Sequence, residues 1–524
     1  MLKRNSALIL LGLLLFSLSC APKAGEDIAF RVLLDPAAFH APVSGRLKVC
    51  LDSNTLDEPG EHLEGDIVFD PQPFYYRDVV NWRPGETVTI DKTAAAYFSR
   101  LEDLPRRRYA IQAILEPKDP TRGYSERAGI LWSPVVIEKL VPGRSYALSL
   151  NLKNVVSPFR FPESDTAKEL VVPSPLLSRF YGRPVDLKAA VVLPASYGKE
   201  PARRYPTVYV IPGFFGSYRN VEGARRRYGM TGVGTDKIYV ILDADCPLGH
   251  HTFCDSENNG PRAASLVTEL IPALEKRYRV LPEAAARFLT GQSSGAWSAL
   301  WLQVAYPESF GGAWAASPDP VDFRRFTWVG DLYEPGANLF YGRDGRELSS
   351  WVFKGFPICT MKEAWELEDA SGTVNQLQSW EGAWSPRGKD GRPRPFFDRT
   401  SGAIDPETLS WWKRYDLALV LRANWPTIGE HLRGKIHLFA GDKDDFALNE
   451  AVLSLKDVLN ALRAEAVVDI LPGTHVLWGE EFTARVQKEM DATLAARAGG
   501  KAASLSSIGR ETGLKAWPSE IMPD

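Results

Sequence analysis

The chain has 524 residues, 44% of them hydrophobic and 24% charged, with a formal net charge of -3. That length exceeds what one hydrophobic core supports and points to two or three domains. The near-neutral charge supplies no positive field for nucleic acid and sets that partner class aside.

At the N-terminus Lys3 and Arg4 precede an uncharged, mostly apolar run from Ala7 to Leu18, followed by Ser19 and Cys20. This is the layout of a signal peptide, and the run is shorter than the ~20 residues a membrane-spanning helix needs. Phe16-Ser17-Leu18-Ser19-Cys20 resembles a bacterial lipobox, with Ser17 where that pattern most often has Leu. The resemblance implies a lipoprotein signal over residues 1–20, a lipid on Cys20 as the only membrane contact, and an exported protein, periplasmic or anchored to the outer membrane. An ordinary cleaved signal with a chance cysteine is the alternative. Of the remaining cysteines, Cys246 and Cys254 are close enough to staple one loop in an oxidising compartment, although two free, partly buried thiols fit the same spacing. Cys50 and Cys359 stand apart. The chain has no Cys-x-x-Cys, and the adjacent His250 and His251 are not expected to face one ion, so neither a metal site nor a cofactor is assigned.

Residues 26–155 read as a β-sandwich domain. Strand-length pieces recur at Ile28 to Leu34, Gly45 to Asp52, Thr87 to Ile90, Tyr109 to Leu115, Gly129 to Ile137 and Tyr146 to Leu152, with Pro and Gly between them and almost no helical period. His40 and His62 are single histidines at no catalytic spacing.

From residue 170 to 498 strands alternate with helices, which implies a mostly parallel sheet covered on both faces. Leu187 to Leu193, Thr207 to Ile211, Ile238 to Leu242, Phe288 to Thr290, Ile436 to Ala440 and Val467 to Leu471 are the predicted strands. Ala263, Val267, Leu270 and Leu274 predict a helix kinked at Pro272. Trp297 to Tyr306 reads as a helix ended by Pro307, and Leu448, Val452, Leu455, Leu459 and Leu462 share one helix face. An insertion at about 318–434 breaks the rhythm and carries Trp328, Trp351, Trp365, Trp380, Trp384, Trp411 and Trp412. It is expected to form a helix-poor cap over the strand ends, most of its tryptophans core and a minority lining a cleft. Residues 499–524 read as a loose tail.

Within this second region Gly291-Gln292-Ser293-Ser294-Gly295 follows a predicted strand and opens a predicted helix, the context of a nucleophile elbow with Ser293 at its apex. A serine hydroxyl needs a base, and His475 directly follows the last predicted strand. The base needs an acid to hold its tautomer and balance the imidazolium. Gly441-Asp442-Lys443-Asp444-Asp445 offers Asp444 at the spacing that faces the histidine, with Asp442 and Asp445 as open alternatives. The order Ser293, Asp444, His475 is that of α/β-hydrolases. Two backbone donors must hold the oxyanion: Ser294, and Phe214 in Pro212-Gly213-Phe214-Phe215-Gly216, with Phe215 as the fallback.

From about Ser174 to Arg497 the chain resembles the putative esterase family of α/β-hydrolases, the group with esterase D, feruloyl esterases and enterochelin esterase. The resemblance is carried by Val192 to Tyr197, Gly213 to Gly216, Gly291 to Gly295, Gly441 to Asp445 and Gly473-Thr474-His475. Where the family usually has His-Gly this chain has Pro212-Gly213, which removes a side chain that often braces the loop. The resemblance implies a serine hydrolase acting on a small-molecule or glycan-linked carboxylic ester. Peptidase or acyltransferase chemistry with the same triad is a second reading, and a catalytically silent, surface carbohydrate-binding lipoprotein a third. Arg225, Arg226 and Arg227 would greet an anionic ligand, or form a solvated helix face.

Overall fold

The computed structural model describes residues 28–53, 72–141, 144–228, 230 and 234–499. The signal-like run with Cys20, His62 and the predicted tail beyond Gly499 lie outside the described residues. Two compact units divide the chain: residues up to 117 together with 130–155, and residues 118–129 together with 156 onward. Among the described residues no helix is long and apolar enough to cross a membrane.

Among the described residues the first unit contains two sheets. In the smaller, Ile28–Leu34 lies between Thr87–Ile90, antiparallel, and Tyr146–Leu152, parallel. The larger has seven strands, with Val43–Asp52 and Arg107–Pro117 paired antiparallel at its centre. Alternation explains the burial: Leu47, Val49 and Leu51 point one way and join Phe30 and Val32 of the smaller sheet in one apolar cluster. Two expectations need correction. Gly129 to Ile137 is not one strand; it gives Leu131–Trp132 and then Val136–Leu140, because Pro134 between them has no N–H for the ladder. Phe74–Trp82 is a strand that periodicity did not mark, since Arg77 and Asp78 break the alternation.

In the second unit the strands of one eight-stranded sheet are numbered here from its first: β1 Ala167–Pro173, β2 Asp186–Val192, β3 Thr207–Ile211, β4 Ile238–Leu242, β5 Arg287–Ser293, β6 Gly312–Pro318, β7 Ile436–Gly441 and β8 Val467–Leu471. The spatial order is β1-β2-β4-β3-β5-β6-β7-β8. β1 and β2 run antiparallel to their neighbours, and β3 to β8 are mutually parallel. The carboxyl ends of six strands therefore share one edge. β3 and β4 are buried at every residue, as strands covered on both faces must be.

The helix Ser294–Ala305 follows β5 without a linker, and all but its last residue are buried. Leu448–Ala461 turns Leu448, Val452, Leu455 and Leu459 inward. Around Pro272 the helix is not simply kinked. Arg262–Ser265 is α-helical, Leu266–Leu270 is a π-turn, and α-helix resumes at Ile271–Arg277. The wider turn absorbs the missing proline N–H without ending the helix.

The insertion is not helix-poor. It holds Met361–Ser371, Gln376–Trp384, Pro406–Trp412 and Leu417–Leu432, the first three opened by side-chain caps from Thr360, Asn375 and Asp405 and the last by Asp416. Trp365, Trp380, Trp384 and Trp412 are buried in an apolar cluster shared with the helix after β5, and Trp351 is buried apart from it, whereas Trp328 is 37% exposed. Truncating such a buried indole costs about 3–5 kcal/mol. Cys246 and Cys254 are both free and buried. Their thiols point to different carbonyls, Gly249 O for Cys246 and Ala383 O for Cys254.

Candidate active site

β5 ends at Ser293, and the chain reverses there within one residue. Ser293 takes φ 59° and ψ -129°, a conformation that costs an L-residue on the order of 1–3 kcal/mol and persists only where the surroundings impose it. The flanking glycines are required for space. A Cβ on Gly291 would stand 2.4 Å from the carbonyl carbon of Gly295, and one on Gly295 would stand 2.1 Å from Ile211 O. This is the physical content of the Gly-x-Ser-x-Gly pattern here.

The turn after β7 carries three acids in three different settings. Asp444, with a fully buried side chain, holds His475: its Oδ2 lies 2.9 Å from Nδ1. Asp444 Oδ1 accepts the N–H groups of Phe446 at 2.9 Å and Leu448 at 3.2 Å, so the carboxylate cannot rotate away. Asp445 Oδ2 accepts the backbone N–H of His475 at 3.2 Å. Burial, with Asp444 beside it, raises the carboxyl of Asp445 above the usual range. Asp442 accepts the N–H of Gly473 at 2.9 Å on the exposed side of the turn. Strand β7, a glycine and two further residues thus bring Asp444, and neither neighbour, to the imidazole. Phe446 packs edge-on against the ring of His475 at 4.9 Å.

Ser293 Oγ donates at 3.4 Å to Asp319 Oδ1, and no hydrogen bond joins it to His475 in this conformation. Asp319 was not singled out by the sequence. It arrives because the pairing of β5 and β6 slips after Gln292, so that Ser293 faces Pro318 and the next residue reaches the nucleophile. Its other oxygen accepts Ser294 Oγ at 2.7 Å and the indole N–H of Trp380 at 2.8 Å. Asp319 is 2% exposed. Burial raises its carboxyl above the usual range against the opposing pull of those donors and of the nearby His475. A tryptophan of the insertion therefore fixes a carboxyl beside the nucleophile.

The loop after β3 approaches the elbow closely, for a Cβ on Gly213 would meet Gln292 O at 2.9 Å and Ser293 Cβ at 3.3 Å. Among the described residues no hydrogen bond takes the N–H of Phe214, whereas Phe215 N–H is committed to Tyr124 Oη at 3.1 Å. The N–H of Ser294, first residue of its helix, has no intrahelical acceptor. Phe214 and Ser294 are thus the available amides, and Phe215 is not. Proline replaces the family's histidine in this loop, but another histidine reaches it. His250 Nε2 donates to Pro212 O at 2.9 Å while its Nδ1 accepts Thr252 N–H at 3.1 Å, and burial pushes its pKa down to about 4, so the ring is neutral. Among the described residues no cluster of His, Cys, Asp and Glu has the geometry to hold a metal ion.

The basic run after this loop does not form one front. Arg225 bonds Thr166 O and Oγ1 at 2.9 and 2.8 Å, and Arg227 reaches Gln292 Oε1 at 3.4 Å. Gln292 in turn donates to His475 O at 3.2 Å.

The model of the family described as "Putative esterase" matches residues 184–466, more than half of the chain. The chain belongs to the putative esterase family. This esterase is a carboxylic ester hydrolase of the α/β-hydrolase fold. Its similar solved structures include a ferulic acid esterase at 13% identity, covering 63% of this chain and 98% of that one with a TM-score of 0.37. An S-formylglutathione hydrolase from Agrobacterium tumefaciens matches at 13% identity, 64% and 95% coverage and a TM-score of 0.35. A ferulic acid esterase from Anaeromyces mucronatus matches at 14%, 65% and 95%, and 0.31. No curated protein matches the esterase.

Proposed function

We propose that the protein hydrolyses carboxylic esters through an acyl-enzyme, with Ser293 as nucleophile, His475 as general base and acid, Asp444 as the orienting acid, and the amides of Phe214 and Ser294 as oxyanion donors. The observation that carries this reading is the buried Asp444 Oδ2 to His475 Nδ1 hydrogen bond of 2.9 Å on the sheet edge that also bears the strained Ser293. A carboxylate at Nδ1 leaves Nε2 as the basic nitrogen. The Ser293 hydroxyl turns from Asp319 to that nitrogen and loses its proton to it as Oγ bonds the carbonyl carbon. The carbonyl oxygen gains charge against the two amides. The C–O bond then breaks, and the alcohol leaves with the proton from His475. Water repeats the sequence on the acyl-enzyme, His475 taking its proton, and releases the acid with Ser293 restored.

A fluorophosphonate probe tests this. The wild-type protein is expected to gain the probe mass on the peptide containing Ser293, and Ser293→Ala to stay unlabelled with an unchanged melting temperature. Folded wild-type protein that never reacts refutes the reading. The two facing sheets of the first unit support a β-sandwich, and the sequence around Cys20 supports export and lipid attachment there. Mass spectrometry of the processed N-terminus tests the attachment.

A further inference from the structure

The segment 118–129 belongs to the second unit, although the strands on either side of it, Arg107–Pro117 and Leu131–Trp132, belong to the first. We infer that this excursion is a brace for the oxyanion loop and that Tyr124 is its positioning residue, acting on catalysis through the backbone of Phe214 and Phe215. The inference rests on the oxyanion role proposed above for Phe214.

Two contacts at Tyr124 carry it. Its hydroxyl accepts the N–H of Phe215 at 3.1 Å, and its ring stacks on that of Phe214 with centroids 4.8 Å apart and planes 15° from parallel. Phe215 needs such a partner. It is 64% exposed and sits at φ 63°, a left-handed conformation that a bulky residue adopts only when held. Loss of either contact frees Phe215 to relax toward ordinary φ, which turns the peptide units on either side of Phe215 and, with the Phe214 ring released from Tyr124, lets the preceding unit that carries the Phe214 N–H shift with them. The amide offered to the oxyanion would then no longer aim at the position above Ser293.

The excursion is itself tied down at several points. Ser125 Oγ donates to Asp245 Oδ2 at 2.5 Å, and Ser125 N–H to Asp245 Oδ1 at 3.3 Å. Tyr124 N–H donates to Cys246 O at 3.2 Å. Arg219, three residues past Gly216, reaches Glu126 Oε2 at 2.8 Å and Ser125 Oγ at 3.2 Å. Gly123 is pressed against the Asp245 carboxyl so closely that a Cβ there would stand 2.5 Å from it. The anchors and the supported loop both belong to the carboxyl edge of the sheet, Asp245 and Cys246 lying just past β4 and Phe214 just past β3. A segment held this firmly and ending on a ring over Phe214 has the form of a support for that loop, in a chain that lacks the family's histidine there.

The test compares Tyr124→Phe, which keeps the ring and deletes the acceptor, with Tyr124→Ala, which deletes both. Asp245→Asn is the third variant and loosens the backbone of the excursion while leaving the Tyr124 ring and hydroxyl in place. Each full-length protein is assayed for hydrolysis of p-nitrophenyl acetate, for inhibition by a trifluoromethyl ketone, which forms a charged tetrahedral adduct on the serine, and for thermal unfolding. Tyr124→Phe is expected to lose about tenfold in both kcat and ketone affinity with KM within twofold of wild type, and Tyr124→Ala about a hundredfold. Asp245→Asn is expected to move the same quantities in the same direction. If Tyr124→Phe and Tyr124→Ala bind the ketone as wild type does, the brace is refuted. It is equally refuted if KM and ketone affinity worsen together in step with lost thermal stability. Wild-type protein inert to ketone and ester alike would instead overturn the oxyanion reading beneath it.

Discussion

Gly213→Ala isolates the distance between the oxyanion loop and the elbow. The substitution adds one methyl group and demands no unusual φ, so its effect is one of space. The new Cβ would lie 2.9 Å from Gln292 O and 3.3 Å from Ser293 Cβ. Both neighbours are at the end of β5 and cannot yield, because Gln292 is held by His475 O and Arg227 and Ser293 by its own strained turn. Restoring ordinary contact requires the loop to withdraw by about half an ångström. Oxyanion donors act at 2.7–3.1 Å, and loss of one costs roughly a hundredfold to a thousandfold in kcat. A half-ångström withdrawal is therefore expected to lower kcat about a hundredfold, near 2.7 kcal/mol of transition-state stabilisation, with KM changed little. Steady-state hydrolysis of p-nitrophenyl acetate, with thermal unfolding run in parallel, measures it. A Gly213→Ala protein that keeps kcat within threefold of wild type would show that the loop donates nothing to the transition state.

Asp444→Asn is expected to lower kcat by about three to four orders of magnitude, whereas Asp445→Asn, which weakens the bonds to His475 N–H and the Thr474 side chain but leaves the imidazole's own bond intact, should lower it less than tenfold; the reverse ranking would move the acid to Asp445. Asp319→Asn replaces an acceptor by a donor opposite Ser294 Oγ and the Trp380 indole, which should cost about 1–3 kcal/mol of stability and a measurable part of kcat. Denaturant titration and steady-state kinetics read the two effects, and an unaltered protein in both would remove Asp319 from the site. Glu489, though partly buried, is held down to about 2 from 4.5 by bonds from His437, Arg485 and Trp314. Its folded pKa is depressed, so its contribution is complete above 4.5 and is lost as pH falls toward 2. Glu489→Gln should narrow the stability gap to wild type across that window, and a gap independent of pH would refute the linkage.

The parts of this protein written in short-range pattern were readable from the sequence. Continuous, mostly apolar runs gave β3 and β4 to the residue, because a strand buried on both faces is filled largely by apolar side chains. The glycines at 291 and 295 were legible because only one residue type fits against Ile211 O and the turn of the following helix. What was missed depends on relations between distant segments. Asp319 in Pro318-Asp319-Pro320 reads as a plain turn, and only the slip between β5 and β6 brings it to Ser293. Tyr124 lies in a turn between predicted strands of another region, 90 positions before Phe214, and no local pattern links them. His250 looked like half of an unconvincing metal pair, whereas its ring is a neutral support for Pro212. The insertion's helices were hidden because they are enclosed on several sides, Ser379, Glu381 and Gly382 being as buried as Trp380 and Trp384, which flattens the helical period on which such readings depend.

The turn that carries Asp444 is also an attachment point. Its neighbour Asp445 offers one carbonyl oxygen to two groups from the insertion, Val352 N–H at 2.8 Å and the Trp328 indole at 3.3 Å, while Trp351 stacks beside Phe446. The insertion therefore cannot be exchanged as an interchangeable module. A chimera that grafts the cap of a related hydrolase to redirect substrate choice would also remove the groups that hold the acid turn in register with His475. Recombination in this lineage is better placed elsewhere, at the exposed Lys354-Gly355 tip of the hairpin formed by Ser349–Phe353 and Phe356–Thr360, where length and sequence can vary while the Val352 contact stays.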